Sequence, residues 1–185
     1  MTKANPDLSV KLGSLKLKNP LILGSGPCGR TARGLIKYAE LGFAAMITKT
    51  ITPEPVEGNP SPRDFVAGPQ LLFEASGTPN MGFKAMIEEI KRAKDTIKDS
   101  AYIVVNITAE DPGDFARMAS GFEKAGADAI ELAIFGCPNY KIGTKIQEAY
   151  WEQSSERIKR VIKEVKREVF LVNFQVFSRF GRHSL

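Results

Sequence analysis

The chain has 185 residues, enough for one domain with a sizeable core; 43% of them are hydrophobic and 25% charged, with 16 Gly and 11 Pro. That composition excludes a disulfide-stapled miniprotein and a disordered, collagenous or low-complexity chain. Two cysteines, Cys28 and Cys137, are too few for a four-thiolate metal site, and the single His183 excludes zinc motifs built on paired histidines.

No apolar run approaches the roughly 20 residues of a membrane span, and the N-terminal MTKANPDLS lacks the apolar centre of a signal peptide, so a cytoplasmic protein is expected. The net charge of +5 invites a nucleic-acid reading. Much of the excess, however, lies in Arg157, Lys159, Arg160, Lys163, Lys166 and Arg167, which alternate with Ile158, Val161, Ile162 and Val165 at helical spacing. Without interleaved aromatics this is the solvated face of an amphipathic helix, and no nucleic-acid or membrane partner is expected.

Leu8 to Lys18 reads as a β-hairpin around Gly13-Ser14. Leu21 to Ser25 reads as a short apolar strand, Thr31 to Leu41 as a helix closed by Gly42, and Ala44 to Thr48 as a second strand. A proline-rich loop runs from Thr52 to Pro62; Phe83, Met86, Ile87, Ile90, Ala93 and Ile97 then mark a second helix. Tyr102 to Ile107 is the third strand, Asp111 and Pro112 open a helix reaching Lys124, Ala129 to Phe135 is the fourth strand, and a long helix spans Lys145 to Glu168. Strands alternating with helices, apolar on both faces, require a parallel sheet with covered faces. An open doubly wound sheet and half of an eight-stranded barrel both fit.

In either architecture ligands meet the carboxyl ends of the strands. After the first strand comes Gly24-Ser25-Gly26-Pro27-Cys28-Gly29, which reads as a dinucleotide fingerprint, a flavin-contacting loop or merely a tight turn. A ribose-binding acid is missing at the end of the second strand, where the sequence gives Thr48-Lys49-Thr50. Lys49 either meets a ligand or pairs with Glu74 or Glu131, because a lone ammonium there is costly. Asn106 either hydrogen-bonds a cofactor or caps its own loop. Cys137, in Phe135-Gly136-Cys137-Pro138-Asn139, is either an inert buried residue or a functional thiol that exchanges a proton near neutral pH.

Taken together, these stretches resemble the class 1 dihydroorotate dehydrogenase family, flavin enzymes on a (β/α)8 barrel. The resemblance is carried by Leu17-Lys-Asn-Pro20, Gly24-Ser-Gly26, Thr48-Lys-Thr-Ile-Thr52, Glu57-Gly-Asn-Pro-Ser-Pro-Arg63, Gly77 with Pro79-Asn80, Val105-Asn106 and Cys137-Pro-Asn139, in the family's order from Leu8 to about Val165. It implies an α/β chain forming the N-terminal half of a TIM barrel, about four βα units preceded by a β-hairpin. It implies FMN contacted by Gly24, Ser25, Lys49, Thr50 and Asn106, and Cys137 as the base that takes a substrate proton while a hydride passes to the flavin. It places a small-molecule substrate at Lys49, Glu74, Ser76, Gly77, Thr78 and Asn139, and it leaves room for a homo-oligomer or an electron-transfer partner subunit.

Two departures fall on the substrate side: Glu74 and Ala133 stand where the family pattern has asparagines, so a dihydropyrimidine-like or ene-type substrate other than dihydroorotate is expected. Two other classes remain: a nicotinamide-dependent oxidoreductase on an open sheet, and a non-catalytic half-barrel that pairs with a partner.

At the C-terminus the family's flavin-contacting strand is replaced by Val172-Asn-Phe-Gln-Val-Phe-Ser-Arg-Phe-Gly-Arg-His-Ser-Leu185. With suitable codons, a shift of one nucleotide turns Arg179 to Ser184 into Asp-Leu-Glu-Asp-Ile-Ala, a family-like continuation. Residues 1–168 are therefore expected to be a partial barrel and 169–185 an out-of-frame tail. A chain lacking the later strands, whose loops commonly hold phosphate, is expected neither to retain FMN stably nor to turn over alone.

Overall fold

A computed structural model describes residues 6–134 and 155–169, together with the backbone of 176–178. The chain opens with β1 (Val10–Leu12) and β2 (Leu15–Leu17), paired antiparallel through a turn in which Gly13 takes φ +60°. In β2, Leu15 and Leu17 are buried while Lys16 between them is exposed, so the hairpin lays one face on the sheet, against Ala44, Ala45, Val104 and Ala129.

Next come β3 (Ile22–Leu23), a single 3-10 turn (Pro27–Gly29), α1 (Ala32–Glu40) and β4 (Ala45–Ile47). A hairpin of β5 (Asp64–Gly68) and β6 (Leu71–Glu74) precedes α2 (Gly82–Ile97) and β7 (Tyr102–Ile107). Then follow α3 (Pro112–Lys124), β8 (Ala129–Leu132), α4 (Ser155–Glu168) and β9 (Val176–Ser178). Local chemistry explains the helix starts. The Thr31 hydroxyl accepts from Gly34 N at 3.3 Å, and Asp111 accepts from Gly113 N at 2.7 Å ahead of Pro112, whose missing N–H costs nothing in a first turn.

The main sheet runs β3-β4-β7-β8-β9 with every pair parallel. Spatial order follows chain order without reversal, so the sheet has no topological switch point and winds in one direction, as a barrel does and a doubly wound sheet does not. The helices cover the outer face around Phe115, Phe122, Met118, Ile103, Ile107 and Ile130, all fully buried. Each such side chain contributes about 1.5–3 kcal/mol of burial.

The half-barrel architecture expected from the sequence is the one found, although β3, β4 and β8 are each shorter than read. The β5–β6 hairpin was not expected. Its apolar residues do not alternate with polar ones, and Phe65, Val66, Leu71, Leu72 and Phe73 are all exposed, so a search for half-buried strands passes over it. Of the helix read over 145–168, the first ten residues lie outside the described ones, as do Cys137, Asn139 and most of the 169–185 tail. Within that tail, Val176–Ser178 extend the sheet beside β8.

Candidate functional site

Strand alternation builds the site. In β7, Ile103, Val105 and Ile107 enter the helix-side core, whereas Val104 faces the small cluster under the β1–β2 hairpin. Asn106 shares Val104's parity and therefore stands on the inner face, at the carboxyl half of the strand, 1% exposed. In β8, Ala129 and Glu131 take the same face, and the parallel register sets Glu131 beside Asn106.

Asn106 Nδ2 donates to Glu131 Oε1. The backbone of Asn106 is fully engaged, its N–H donating to Thr48 Oγ1 at 3.0 Å and its carbonyl accepting from Ile51 N at 2.9 Å. The side-chain Oδ1 is buried and has no partner among the described residues. The amide thus reaches across to the neighbouring strand and does not cap its own loop.

Lys49 stands just beyond β4 and continues the parity of Ala45 and Ile47, which line the same face as Asn106. It is half-buried, and among the described residues it forms no ion pair, with Glu131 or with Glu74. Thr50 beside it is half-buried as well. The Lys49 N–H donates to Gly29 O at 3.1 Å, which ties the glycine turn to the end of β4.

That turn has distinct parts. A Cβ on Gly29 would come within 2.7 Å of Ile47 O, so this glycine permits close packing, whereas around Gly24 nothing lies within 4 Å of a built Cβ. Ser25 is half-buried between them. The first amides of α1 are taken by the protein itself: Ala32 N donates to the Glu89 carboxylate at 2.6 Å and Gly34 N to Thr31. A helix start so occupied does not offer the anion cradle of a dinucleotide fingerprint. Cys28 is exposed and accepts the Tyr38 O–H at 3.3 Å, which raises the Tyr38 pKa above its ordinary value.

The proline-rich loop and the segment after β6 clasp each other. Val56 and Asn80 exchange backbone hydrogen bonds of 3.0 and 2.9 Å, and Asn59 Nδ2 donates to Ala75 O at 2.8 Å. Gly77, at φ +68°, has backbone and side-chain atoms of Asn59 within 3.0 Å of where a Cβ would stand. Thr78 adopts φ +55° without being glycine, a conformation held by its buried surroundings.

A family model described as dihydroorotate dehydrogenase matches residues 7–175. The chain belongs to the dihydroorotate dehydrogenase family. It is 36% identical over 133 residues to a protein of Methanosarcina mazei named dihydroorotate dehydrogenase B (NAD(+)), catalytic subunit, covering 71% of this chain and 41% of that one. A protein of the same name from Pyrococcus abyssi is 36% identical over 162 residues, 86% of this chain and 50% of its own length. This chain therefore spans about half the length of the curated relatives it matches. Among solved structures, the dihydroorotate dehydrogenase of Eimeria tenella in complex with ferulenol superposes with a TM-score of 0.73 at 22% identity, over 91% of this chain and 45% of that one. The fold is thus part of a dihydroorotate dehydrogenase barrel, and the open-sheet reading is set aside.

Within this family member, Gly24, Ser25, Lys49, Thr50 and Asn106 all lie at or just beyond the carboxyl ends of β3, β4 and β7. Gly77 and Thr78 are buried and Ser76 half-buried, while Glu74 ends β6 exposed, its carboxylate accepting from Ser76 N at 3.0 Å. Ala133, just after β8, uses only its backbone, donating to Ile107 O and accepting from the Thr108 hydroxyl, each at 2.9 Å. Cys137 and Asn139 lie outside the described residues.

Glu131, which the sequence offered only as an acid for Lys49, instead meets the side chain of Asn106. The period of two along β8 was the signal for its inner face, while its place beside Asn106 comes from the register of β8 on β7. Among the described residues no cluster of side chains suits a metal ion, and no helix is long and apolar enough to cross a membrane.

Proposed function

We propose that this chain is the N-terminal portion of an FMN-dependent oxidoreductase that oxidises or reduces a carbon–carbon bond of a dihydropyrimidine-like substrate. The observation that carries the reading is the buried Oδ1 of Asn106, which has no partner among the described residues and lies on the face that also receives Lys49. A buried acceptor without a donor costs free energy, and a bound molecule with a polar ring edge would relieve it. The open space over Gly24 and the ammonium of Lys49 supply the other elements that a polar, anionic cofactor such as FMN needs, so the residues present fit the group.

When bound, FMN supplies a two-electron sink. Lys49, Thr50, Ser25 and Asn106 would hold the ring, with Gly24 admitting it close to the backbone. Cys137 would take the proton from one substrate carbon while the electron pair leaves the adjacent carbon as hydride. Ser76, Gly77, Thr78, Asn139 and Lys49 would surround the substrate.

The Glu74 carboxylate and the Ala133 methyl, standing where asparagines are expected, argue against the carboxylate-bearing dihydroorotate itself and for a less acidic relative. Retention of FMN and turnover are assigned to a protein completed by further barrel strands, with an electron-transfer subunit as its companion in the cytoplasm. The tail 169–185 is read as out of frame.

Three measurements test these statements. Visible absorbance of the purified chain should show little flavin; near-stoichiometric FMN overturns the requirement for completion. Rapid flavin bleaching by dihydroorotate in the completed protein overturns the altered substrate. Genomic sequence downstream that encodes no further barrel in any frame overturns the frame reading.

A further inference from the structure

We infer that Glu131 is a positioning residue that fixes the side-chain amide of Asn106 with its oxygen toward the ligand face, which makes this point of the site select a hydrogen-bond donor. The inference deepens the flavin reading and, for the identity of the ligand, rests on it.

An ionised carboxylate only accepts hydrogen bonds, so the atom of the amide that meets Glu131 Oε1 has to be Nδ2. A planar amide held by its nitrogen presents its oxygen elsewhere, and that Oδ1 is the atom left buried and unpartnered among the described residues.

Rotation about the terminal torsion would exchange the two atoms. It would set Oδ1 against the carboxylate, acceptor facing acceptor, so Glu131 locks one orientation out of two. Among the described residues no other side chain competes for this role: Thr48 Oγ1 is taken by the backbone N–H of Asn106, and Lys49 forms no ion pair. The ligand atom that satisfies Oδ1 must therefore carry hydrogen. In an oxidised isoalloxazine the ring N–H that fits this demand is the imide, so a ring methylated at that nitrogen should be rejected.

The test uses the full chain, labelled with 15N, and its side-chain amide resonances, with Asn106→Ala identifying the pair that belongs to Asn106. In the wild type one amide proton of that pair should lie downfield of the other asparagine amides and exchange slowly. In the isosteric Glu131→Gln that displacement should collapse while the melting temperature confirms a folded chain. The wild-type signal stands as a test even if the variant is unstable: an undisplaced Asn106 amide, or one indifferent to Glu131→Gln, overturns the inference.

Lumiflavin and 3-methyllumiflavin, titrated against the same resonances in the protein completed by further barrel strands, read the ligand side. The wild type should prefer lumiflavin by about tenfold to a hundredfold, and Glu131→Gln should lose most of that preference. Equal response to both rings in the wild type overturns donor selection. Failure of either ring to move the Asn106 signals, with the downfield amide intact, overturns the flavin reading and leaves the orienting role of Glu131 standing.

Discussion

Gly29 and Lys49 are joined backbone to backbone: the glycine carbonyl accepts the Lys49 N–H at 3.1 Å, and a Cβ on the glycine would sit 2.7 Å from Ile47 O and 3.2 Å from Lys49 N. The glycine turn and the end of β4 are thus one rigid unit, and the backbone position of Lys49 depends on a residue with no side chain. Gly29→Ala should destabilise the chain by about 1–3 kcal/mol, because the atoms in the way are backbone and cannot swing aside. Urea denaturation checks this. By contrast, Gly24→Ala, with nothing within 4 Å of the added methyl, should leave the midpoint unchanged.

Asn80 organises the clasp between the proline-rich loop and α2. Its Oδ1 accepts from Gly82 N at 2.9 Å, and its Nδ2 donates to the Thr52 hydroxyl at 3.0 Å and to Thr78 O at 3.1 Å, all at a buried position. Asn80→Ala leaves several buried polar groups without partners. It should cost about 2–4 kcal/mol and speed hydrogen exchange of the Val56 and Gly82 amides. An unchanged melting curve would show that water replaces the network.

The β5–β6 hairpin should behave in the opposite way. Phe65 faces Phe73 and Val66 faces Leu72 in register, and all four are exposed, so both faces of the ribbon are apolar and uncovered. Phe65→Ser combined with Phe73→Ser should reduce binding of a hydrophobic dye and light scattering in proportion to lost apolar surface, with the thermal midpoint unchanged. A fall of several degrees would mean that the pair supports the core.

How much was legible in the sequence follows from where each signal is local. Thr31 and Asp111 mark helix starts through hydrogen bonds made within three residues, and the place of Asn106 near the end of its strand set it at the carboxyl edge where ligands bind. The barrel architecture needed only the repeat of strand and helix together with the family stretches. The contact of Asn106 with Glu131 depends on the register between two strands, which neither strand encodes alone. The occupied start of α1 depends on Glu89, 57 residues away from Ala32, and such pairings are invisible to spacing. The exposed hairpin was missed because its apolar residues follow neither the period of a helix nor that of a half-buried strand.

Tyr38 offers a titration test of the glycine turn. Its O–H donates to Cys28 Sγ, and this bond, then the charge of the cysteine when ionised, then burial, raise the tyrosine pKa. A raised pKa in the folded state means that the contact stabilises below the ordinary tyrosine value, and that this contribution is lost as pH rises through the folded one. The ultraviolet difference titration between wild type and Tyr38→Phe should therefore report a midpoint above that of free tyrosine, and Cys28→Ala should bring it down.

Lys94 and Asp128 fasten the opposite end of the sheet. Lys94 Nζ lies 2.7 and 2.9 Å from the two carboxylate oxygens, and Asp128 Oδ2 also accepts from Ile103 N at 2.8 Å, which binds the end of α2 to the starts of β7 and β8. The two side chains are 25% and 18% exposed, so the pair is shielded enough to matter. Asp128→Ala removes the acceptor of both donors and should cost about 2–4 kcal/mol. Lys94→Met leaves Asp128 its bond to Ile103 and should cost less, about 1–2 kcal/mol. A double-mutant cycle by urea denaturation separates the two contributions. Because this end is remote from Lys49 and Asn106, the Asn106 amide resonance should not move in either variant; a shift there would mean that strain at the amino ends of the strands reaches the ligand face.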